Sequence, residues 1–160
     1  MADGLYDTDI LAWSETQADL LARIARGQRV NGVDWGNVVE EIADVGLSEL
    51  NAVISFLRQG MLHLIKMHIS PDSLALDHWR DEIGTFLDDA DQRFAPSMRQ
   101  RIDMDDIWRR AITRARKTQA GNPNVTTLPA VCPWTLDDLL AGDADALLAA
   151  LSLTNPASHP

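Results

Sequence analysis

A regular apolar pattern between positions 50 and 65 is the feature that most constrains the fold. Its members follow one another at intervals of three, one, three, four, three and one: Leu50, Val53, Ile54, Leu57, Met61, Leu64 and Ile65. This spacing places them on one side of an α-helix, which has to bury that side. Ser48 is suited to cap such a helix, and Ser70 ends it because a residue before proline avoids the helical region. The sequence predicts a buried helix over about residues 48–69.

Two helical patterns precede this one. The first runs from about Thr8, as its N-cap, to Arg26, and the glycine that follows is a typical helix stop. A turn over "RVNGVDWGN" comes next. Asp34 or Asn37 then caps a short second helix that reaches Val45 and ends at Gly46. Its predicted inner stripe consists of Val38, Ile42 and Val45.

Two further helices and an arm follow. Asp72 or Ser73 opens a fourth helix, a turn occupies about residues 97–102, and Asp103 caps a fifth helix that ends before Gly121. "GNPNVTTLPAVCPW" is rich in proline and β-branched residues, which predicts an extended segment. Thr135 with Asp138 predicts a capping box for a short helix, and "DADALLAALSL" predicts another.

These patterns predict an all-α protein. The expected architecture is an up-and-down helical bundle of about four main helices, with a C-terminal arm made of an extended segment and short helices. We expect one domain over residues 1–160, a length that suits a single core. Residues 152–160 are expected to form a frayed tail.

The charge balance narrows the possible partners. The net charge is −10, whereas binding to nucleic acid or to an anionic membrane needs a positive surface, so neither partner is expected. A single cysteine, Cys132, excludes an internal disulfide, and the acidic first residues lack the apolar stretch of a signal peptide. No apolar run is long enough to span a membrane. The sequence therefore predicts a soluble cytoplasmic protein of bacterial type.

Residues 97–117 carry an opposite local charge. This segment contains seven basic residues and three aspartates, which gives a local charge of +4. We interpret this basic strip as a solvated face that meets acidic elements of the same chain. The alternative is a site for phosphate or nucleic acid, but no aromatic residues interleave usefully with these basic residues for stacking.

No cofactor or metal site is predicted. Carboxylate-bridged metal sites in helical bundles use Glu-x-x-His, because residues three apart share one helix face. No histidine of this chain has an acidic residue three positions earlier, and His63 and His68 point in different directions on a helix. Cys132 lies between apolar residues, where a cysteine acts as a small hydrophobic group unless a cation or a helix N-terminus activates it.

One polar group remains as a candidate catalytic site: Glu41, His63 and Lys66, between the predicted second and third helices. His63 and Lys66 fall opposite the apolar stripe of the third helix. They form either a solvated outer face or a half-buried network in which Glu41 reaches one of them. Such a network would fix the register of the helices or take part in catalysis.

Several short segments resemble a known family. They are "LYDTDILAW", "VVEEIADVGLSE", "LRQGMLHLIKMH", a tryptophan at position 79 and "CPWTLDDLL". In this order, over about residues 5–140, they are similar to the bacterial domain-of-unknown-function family DUF29. Glu40 and Glu41 match its acidic pair, and His63 and Lys66 match its His-Leu-x-Lys motif. Met67 stands where the family often has tryptophan, and Trp134 where it often has tyrosine or phenylalanine. The resemblance implies an all-helical cytoplasmic domain and no particular activity.

Two classes of function follow from these observations. The favoured one is a non-enzymatic interaction or regulatory module that binds another protein or a second copy of itself. It is favoured because the sequence contains no recognisable set of catalytic residues. The alternative is an enzyme or small-ligand binder that uses the Glu/His/Lys cluster. A broad exposed apolar patch would support the first class, and an enclosed pocket at the cluster would support the second.

Overall fold

The structure, a computed structural model, describes residues 4–154, and all the regular secondary structure in this range is helical. No strand occurs among these residues, which confirms the all-α prediction. Two short 3-10 helices cover Pro96–Arg101 and Pro123–Thr127. The α-helices are α1 (Leu5–Thr8), α2 (Ile10–Ala25), α3 (Trp35–Ile69), α4 (Leu76–Arg93), α5 (Met104–Thr118), α6 (Leu136–Ala141) and α7 (Ala144–Leu153). The four long helices, α2 to α5, are the predicted main elements.

The chain divides into two compact units, Met1–Ser48 and Glu49–Pro160. The prediction of a single domain over residues 1–160 stays a prediction. The tail was expected to be frayed from residue 152, but α7 continues to Leu153. Residues 155–160 lie outside the described part. Among the described residues, no helix combines the length and the apolar character that are needed to cross a membrane.

Polar contacts to Asp34 organise the first unit. The indole N–H of Trp13 donates a hydrogen bond to Oδ2 of Asp34 over 3.2 Å. The backbone N–H of Asp34 donates to Oε1 of the buried Gln17 over 2.8 Å. The carboxylate of Asp34 also accepts from the backbone N–H of Asn37, as the predicted cap of this helix does. These bonds fix the turn before α3 against α2.

The second unit has the predicted helix at the centre of its core. Val53, Leu57, Met61, Leu64 and Ile65 are all completely buried, which confirms the stripe. Their neighbours in the core come chiefly from α4 and α5 and include Ile83, Leu87, Ala90, Ile107, Trp108, Ala111 and Ala115. The side chain of Leu87 on α4 packs against α3 at Gly60, where an added Cβ atom would lie 2.6 Å from Cδ2 of Leu87.

The C-terminal arm is fixed to this core by two tryptophans. Trp108 and Trp134 meet edge to face with ring centroids 5.3 Å apart. The indole N–H of Trp108 donates to the carbonyl oxygen of Pro129, and that of Trp134 donates to the carbonyl oxygen of Leu147, both over 2.9 Å. The capping box of Thr135 and Asp138 forms as predicted at the start of α6.

The predicted second and third helices are one continuous helix, α3. Gly46 does not end a helix, because it lacks the positive φ that a glycine adopts in a helix stop. Ser48 is an interior residue and caps nothing. Both flanking segments have helical patterns, so the backbone hydrogen bonds gained by continuing the helix outweigh the roughly 1 kcal/mol that an interior glycine costs. The prediction of two helices was wrong here.

Other predicted boundaries were wrong by a few residues. Asp9, not Thr8, caps the long first helix, and its side chain accepts from the backbone N–H of Ala12 over 3.0 Å. The fourth helix begins at Leu76 instead of near Ser73. The segment after Gly121 is not fully extended, because residues 123–127 form a short 3-10 helix. The Asn122 side chain caps this helix by accepting a hydrogen bond from the backbone N–H of Asn124. Several nearby residues could cap each helix, and local hydrogen bonds determine which of them does so and where the helix begins.

Candidate functional site

Glu41 forms a hydrogen bond within the first unit. The hydroxyl group of Tyr6 donates to Oε1 of Glu41 over 2.7 Å. This bond and the negative charges near it stabilise the neutral phenol, and together with burial they raise the pKa of Tyr6 to about 12. The sequence suggested no partner for Glu41 from the N-terminal segment, because Tyr6 lies 35 positions away.

His63 is buried in the second unit and is held through both ring nitrogens. Its Nε2 atom lies 2.6 Å from Oε2 of Glu82 on α4, and its Nδ1 atom lies 2.9 Å from the carbonyl oxygen of Gln59. Phe86 packs against the ring with centroids 5.5 Å apart. A solvated outer face was therefore the wrong interpretation for His63, which is only 7% exposed. A carboxylate network exists there, but Glu82 supplies the carboxylate and not Glu41.

Lys66 and His68 lie near the C-terminal end of α3 in different surroundings. Lys66 is partly exposed, and its ammonium group lies 5.9 Å from the centroid of the Trp79 ring. At this distance the cation is attracted by the face of the ring. His68 is half-buried, and burial lowers its pKa because the charged ring loses hydration. Of the three candidate residues, the structure brings His63 and Lys66 together at one groove.

That groove lies between α3 and α5 and has a volume of about 580 Å³. Its walls consist of one face of each helix, with lining residues at positions 58, 59, 62, 63 and 66 of α3 and at positions 110, 113, 114, 117 and 118 of α5. Glu41 is not among them. The lining contains five arginine or lysine side chains and no carboxylate. The groove is therefore a positively charged site on a chain of net charge −10.

The basic strip at residues 97–117 is divided between two roles. Arg99 forms a bidentate ion pair with Asp137 on α6, and this pair lowers the pKa of the Asp137 carboxyl group. The interpretation that the strip meets acidic elements of the same chain is correct for Arg99. Arg110, Arg114 and Lys117 instead line the groove. Arg110 has a carboxylate partner, since its Nε atom donates to Asp106 over 2.6 Å.

An exposed apolar stripe marks the first half of α3. Trp35, Val39, Ile42 and Val45 follow at intervals of four, three and three, and their exposed fractions lie between 56% and 68%. Residues at these intervals share about a third of the circumference of a helix. The prediction that Val38, Ile42 and Val45 form an inner stripe was wrong for the last two, and only Val38 is buried. Within the first unit, no described residue covers this face.

The single cysteine has an environment that suppresses its reactivity. Burial raises the pKa of the Cys132 thiol to about 11, and the negative charge of Asp105 acts in the same direction. Asp105 accepts a hydrogen bond from the backbone N–H of Cys132 over 2.9 Å. A thiol in this state carries little thiolate at neutral pH, and thiolate is the reactive form.

Metal-ligating side chains are not clustered in the described structure. Within residues 4–154, no three side chains of histidine, cysteine, aspartate or glutamate come together in a way that would hold a metal ion. His63 and His78 both lie within 4 Å of Glu82, at 2.6 and 3.5 Å, but they approach the same carboxylate oxygen. Both rings therefore contact one oxygen atom, and these three described side chains do not form a set of metal ligands.

Sequence reasoning missed three parts of these sites. Glu82 as the partner of His63 and Arg58 as a wall of the groove have no local sequence signal, because both depend on how helices pack. The α5 cations were visible as a basic strip, and their spacing of four and three positions from Arg110 to Arg114 and Lys117 indicated one helix face. The stripe from Trp35 to Val45 was visible as a pattern, but its exposure was not.

Comparison with known proteins agrees with the helical fold. The family model "Domain of unknown function DUF29" matches residues 5–144. Among solved structures, the chain is similar to an alpha-helical protein of unknown function from Rhodospirillum rubrum, with 31% sequence identity and a TM-score of 0.66. The match covers 91% of this chain and 96% of the other. A search of curated proteins found no match.

Proposed function

We propose that this chain, which belongs to the DUF29 family, is a non-enzymatic protein-interaction domain. Its partner is an amphipathic helix whose apolar face is flanked by lysine or arginine residues. The observation that carries this proposal is the exposed stripe of Trp35, Val39, Ile42 and Val45 on α3. A contiguous row of large apolar side chains on a helix is costly in water and is typical of a surface that a second helix covers.

The geometry of the stripe favours a helical partner. Intervals of four, three and three positions reproduce the spacing with which one helix packs along another. The row covers eleven residues, or about three helical turns, which is a common length for helix recognition. Trp35 at one end is the residue type that most often contributes strongly to binding energy.

Charge selects the chemistry of the partner. The segment from residue 30 to residue 57 contains five carboxylates and no lysine or arginine. Within residues 1–48, nine carboxylates and three arginines give a charge of −6. An apolar face on such a unit attracts a partner with a basic rim and repels one with an acidic rim. A second copy of this chain would bring the same carboxylates together, which disfavours self-association through the stripe.

The proposal places this interaction in the cytoplasm of a bacterium. Its support is the single cysteine, which leaves the chain without an internal disulfide, and the similarity to a protein from Rhodospirillum rubrum. The acidic balance of the chain supports a protein partner over nucleic acid or an anionic membrane.

Two matched peptides test the proposal. Both are fluorescently labelled amphipathic helices of about 21 residues, or six turns, with the same leucine stripe; one is flanked by lysine and the other by glutamate. Anisotropy titration should show that the lysine-flanked peptide binds at least about tenfold more tightly, and that added salt reduces this difference. Ile42→Asp should abolish the binding, because it places a charge in the centre of the apolar contact.

Leu74→Asp is the control, because Leu74 is a fully exposed apolar residue outside the stripe. This variant should bind the lysine-flanked peptide as the parent does. Equal binding of the two peptides, or equal losses in both variants, would contradict the proposal. Light scattering gives a second readout: a dimer that dissociates on Ile42→Asp would mean that a second copy, and not a basic helix, covers the stripe.

A further inference from the structure

The groove between α3 and α5 has the chemistry of an anion site. Five cationic side chains surround it: Arg58 and Lys66 from α3, and Arg110, Arg114 and Lys117 from α5. Its volume of about 580 Å³ lies within the range of small-molecule sites, and the buried side chain of Leu62 forms part of its lining.

In the described part of the chain, most cations of the groove have no carboxylate partner, although carboxylates outnumber basic residues in this chain. The protein has 24 carboxylates and 14 basic residues, and elsewhere Arg80, Arg93 and Arg99 all form ion pairs with carboxylates. Within residues 4–154, four of the five groove cations form no such pair; they are Arg58, Lys66, Arg114 and Lys117. Like charges gathered without partners repel one another, so their arrangement favours an external anion.

We propose that this groove binds a small molecule that carries two or more phosphate groups. Arg58 and Lys66 are eight residues apart on α3, which corresponds to about 12 Å along the helix, and Arg110 and Lys117 are about 10 Å apart on α5. A chain of two or three phosphates can contact more of such a row at once than a single phosphate does. Arginine forms bidentate bonds with phosphate oxygens and lysine supplies point charges, so the lining suits this ligand.

A nucleic acid is the less suitable occupant. The positive region is confined to one groove on an acidic protein, and no phenylalanine, tyrosine or tryptophan is among its lining residues. Proteins that bind single-stranded nucleic acids combine a longer basic path with aromatic rings on which bases stack. A small phosphorylated molecule fits the observed size and charge.

Calorimetric titration with inorganic tripolyphosphate tests the proposal. At a salt concentration of about 0.15 M, which screens non-specific attraction, one tripolyphosphate should bind per chain. Orthophosphate should bind at least about tenfold more weakly, because it reaches fewer cations. Arg114→Gln and Lys117→Gln should each weaken tripolyphosphate binding about tenfold, the typical effect of losing one hydrogen bond to a charged group.

Arg116→Gln is the matched control. Arg116 is an exposed arginine on the same helix that does not line the groove, and its removal changes the net charge by the same amount. It should weaken binding no more than about twofold. Circular dichroism should show that the three variants keep the parent's helix content. Absence of tripolyphosphate binding, an equal loss in Arg116→Gln, or tighter binding of a single-stranded DNA oligonucleotide would overturn the proposal.

Discussion

The Nε2 atom of His63 lies 2.6 Å from Oε2 of Glu82, and this contact joins α3 to α4. The other ring nitrogen faces the carbonyl oxygen of Gln59 at 2.9 Å. Both ring nitrogens therefore lie within hydrogen-bond distance of an oxygen atom. Since His63 is also part of the lining of the basic groove, the pair fixes one wall of that groove.

We expect the His63–Glu82 pair to contribute measurably to stability. In a double-mutant cycle with His63→Gln and Glu82→Gln, the coupling free energy of unfolding should be about 1–2 kcal/mol, because a charge-assisted bond of a buried ring is stronger than a surface ion pair. His78→Gln is the control, since His78 approaches the same carboxylate at 3.5 Å but is largely exposed. Its unfolding free energy should change by less than about 0.5 kcal/mol. A change in unfolding free energy as large in His78→Gln as in His63→Gln would contradict this assignment.

The core stripe of α3 predicts large losses on truncation. Leu57→Ala and Leu64→Ala should each lower the unfolding free energy by about 2–5 kcal/mol, because both side chains are completely buried and leave cavities. Denaturant titration measures the effect. Leu74→Ala, at a fully exposed position, should change stability by less than about 0.5 kcal/mol. A loss below about 1 kcal/mol at both core positions would mean that the stripe is not the centre of the core.

The titration of Tyr6 reports on its bond to Glu41. Tyr6 is the only tyrosine, so the near-ultraviolet absorbance of tyrosinate measures it without overlap from a second one. Its pKa should be about 12 and should fall in Glu41→Gln, because the lost carboxylate no longer opposes the phenolate. Asp7→Asn, which changes a neighbouring charge without touching the bond, should leave the titration unchanged.

This shift also fixes the sign of a pH dependence. The folded protein holds the proton of Tyr6 more tightly than the unfolded chain, whose tyrosine has its ordinary pKa of 10.0. The stabilising contribution is therefore complete below about pH 10 and is lost as the pH rises towards 12. Alkaline unfolding should begin at a lower pH in Glu41→Gln than in the parent. Identical alkaline transitions would contradict the link between the bond and stability.

Cys132 should react slowly in the folded protein. With a thiol pKa of about 11, the rate of alkylation by iodoacetamide at neutral pH should be far below that of a free thiol, and it should still rise at pH 10. The unfolded protein in denaturant should react at the ordinary rate, because burial and the charge of Asp105 no longer act. A folded rate that levels off near neutral pH would show an activated thiolate instead.

Local chemistry determined most of the helices. Asp103 caps α5 and accepts from the backbone N–H of Asp106, and Thr135 and Asp138 form their capping box, because both motifs need only neighbouring residues. The central helix was predictable for a similar reason: the apolar spacing from Leu50 to Ile65 is a property of the sequence alone. Gly46 was misleading, since the conformation of a glycine, and not its identity, ends a helix.

The sites depended on contacts that only the tertiary structure supplies. An amphipathic pattern states which side of a helix is apolar, but not whether another element covers it, so Ile42 and Leu57 look alike in the sequence although one is exposed and the other buried. The pairing of His63 with Glu82 likewise depends on how α4 packs against α3. The sequence determined the helices, the central core stripe and the acidic balance. Tertiary packing decided which apolar stripe stays exposed and which cations share one groove, because burial and charge pairing are properties of neighbours that are distant in the chain.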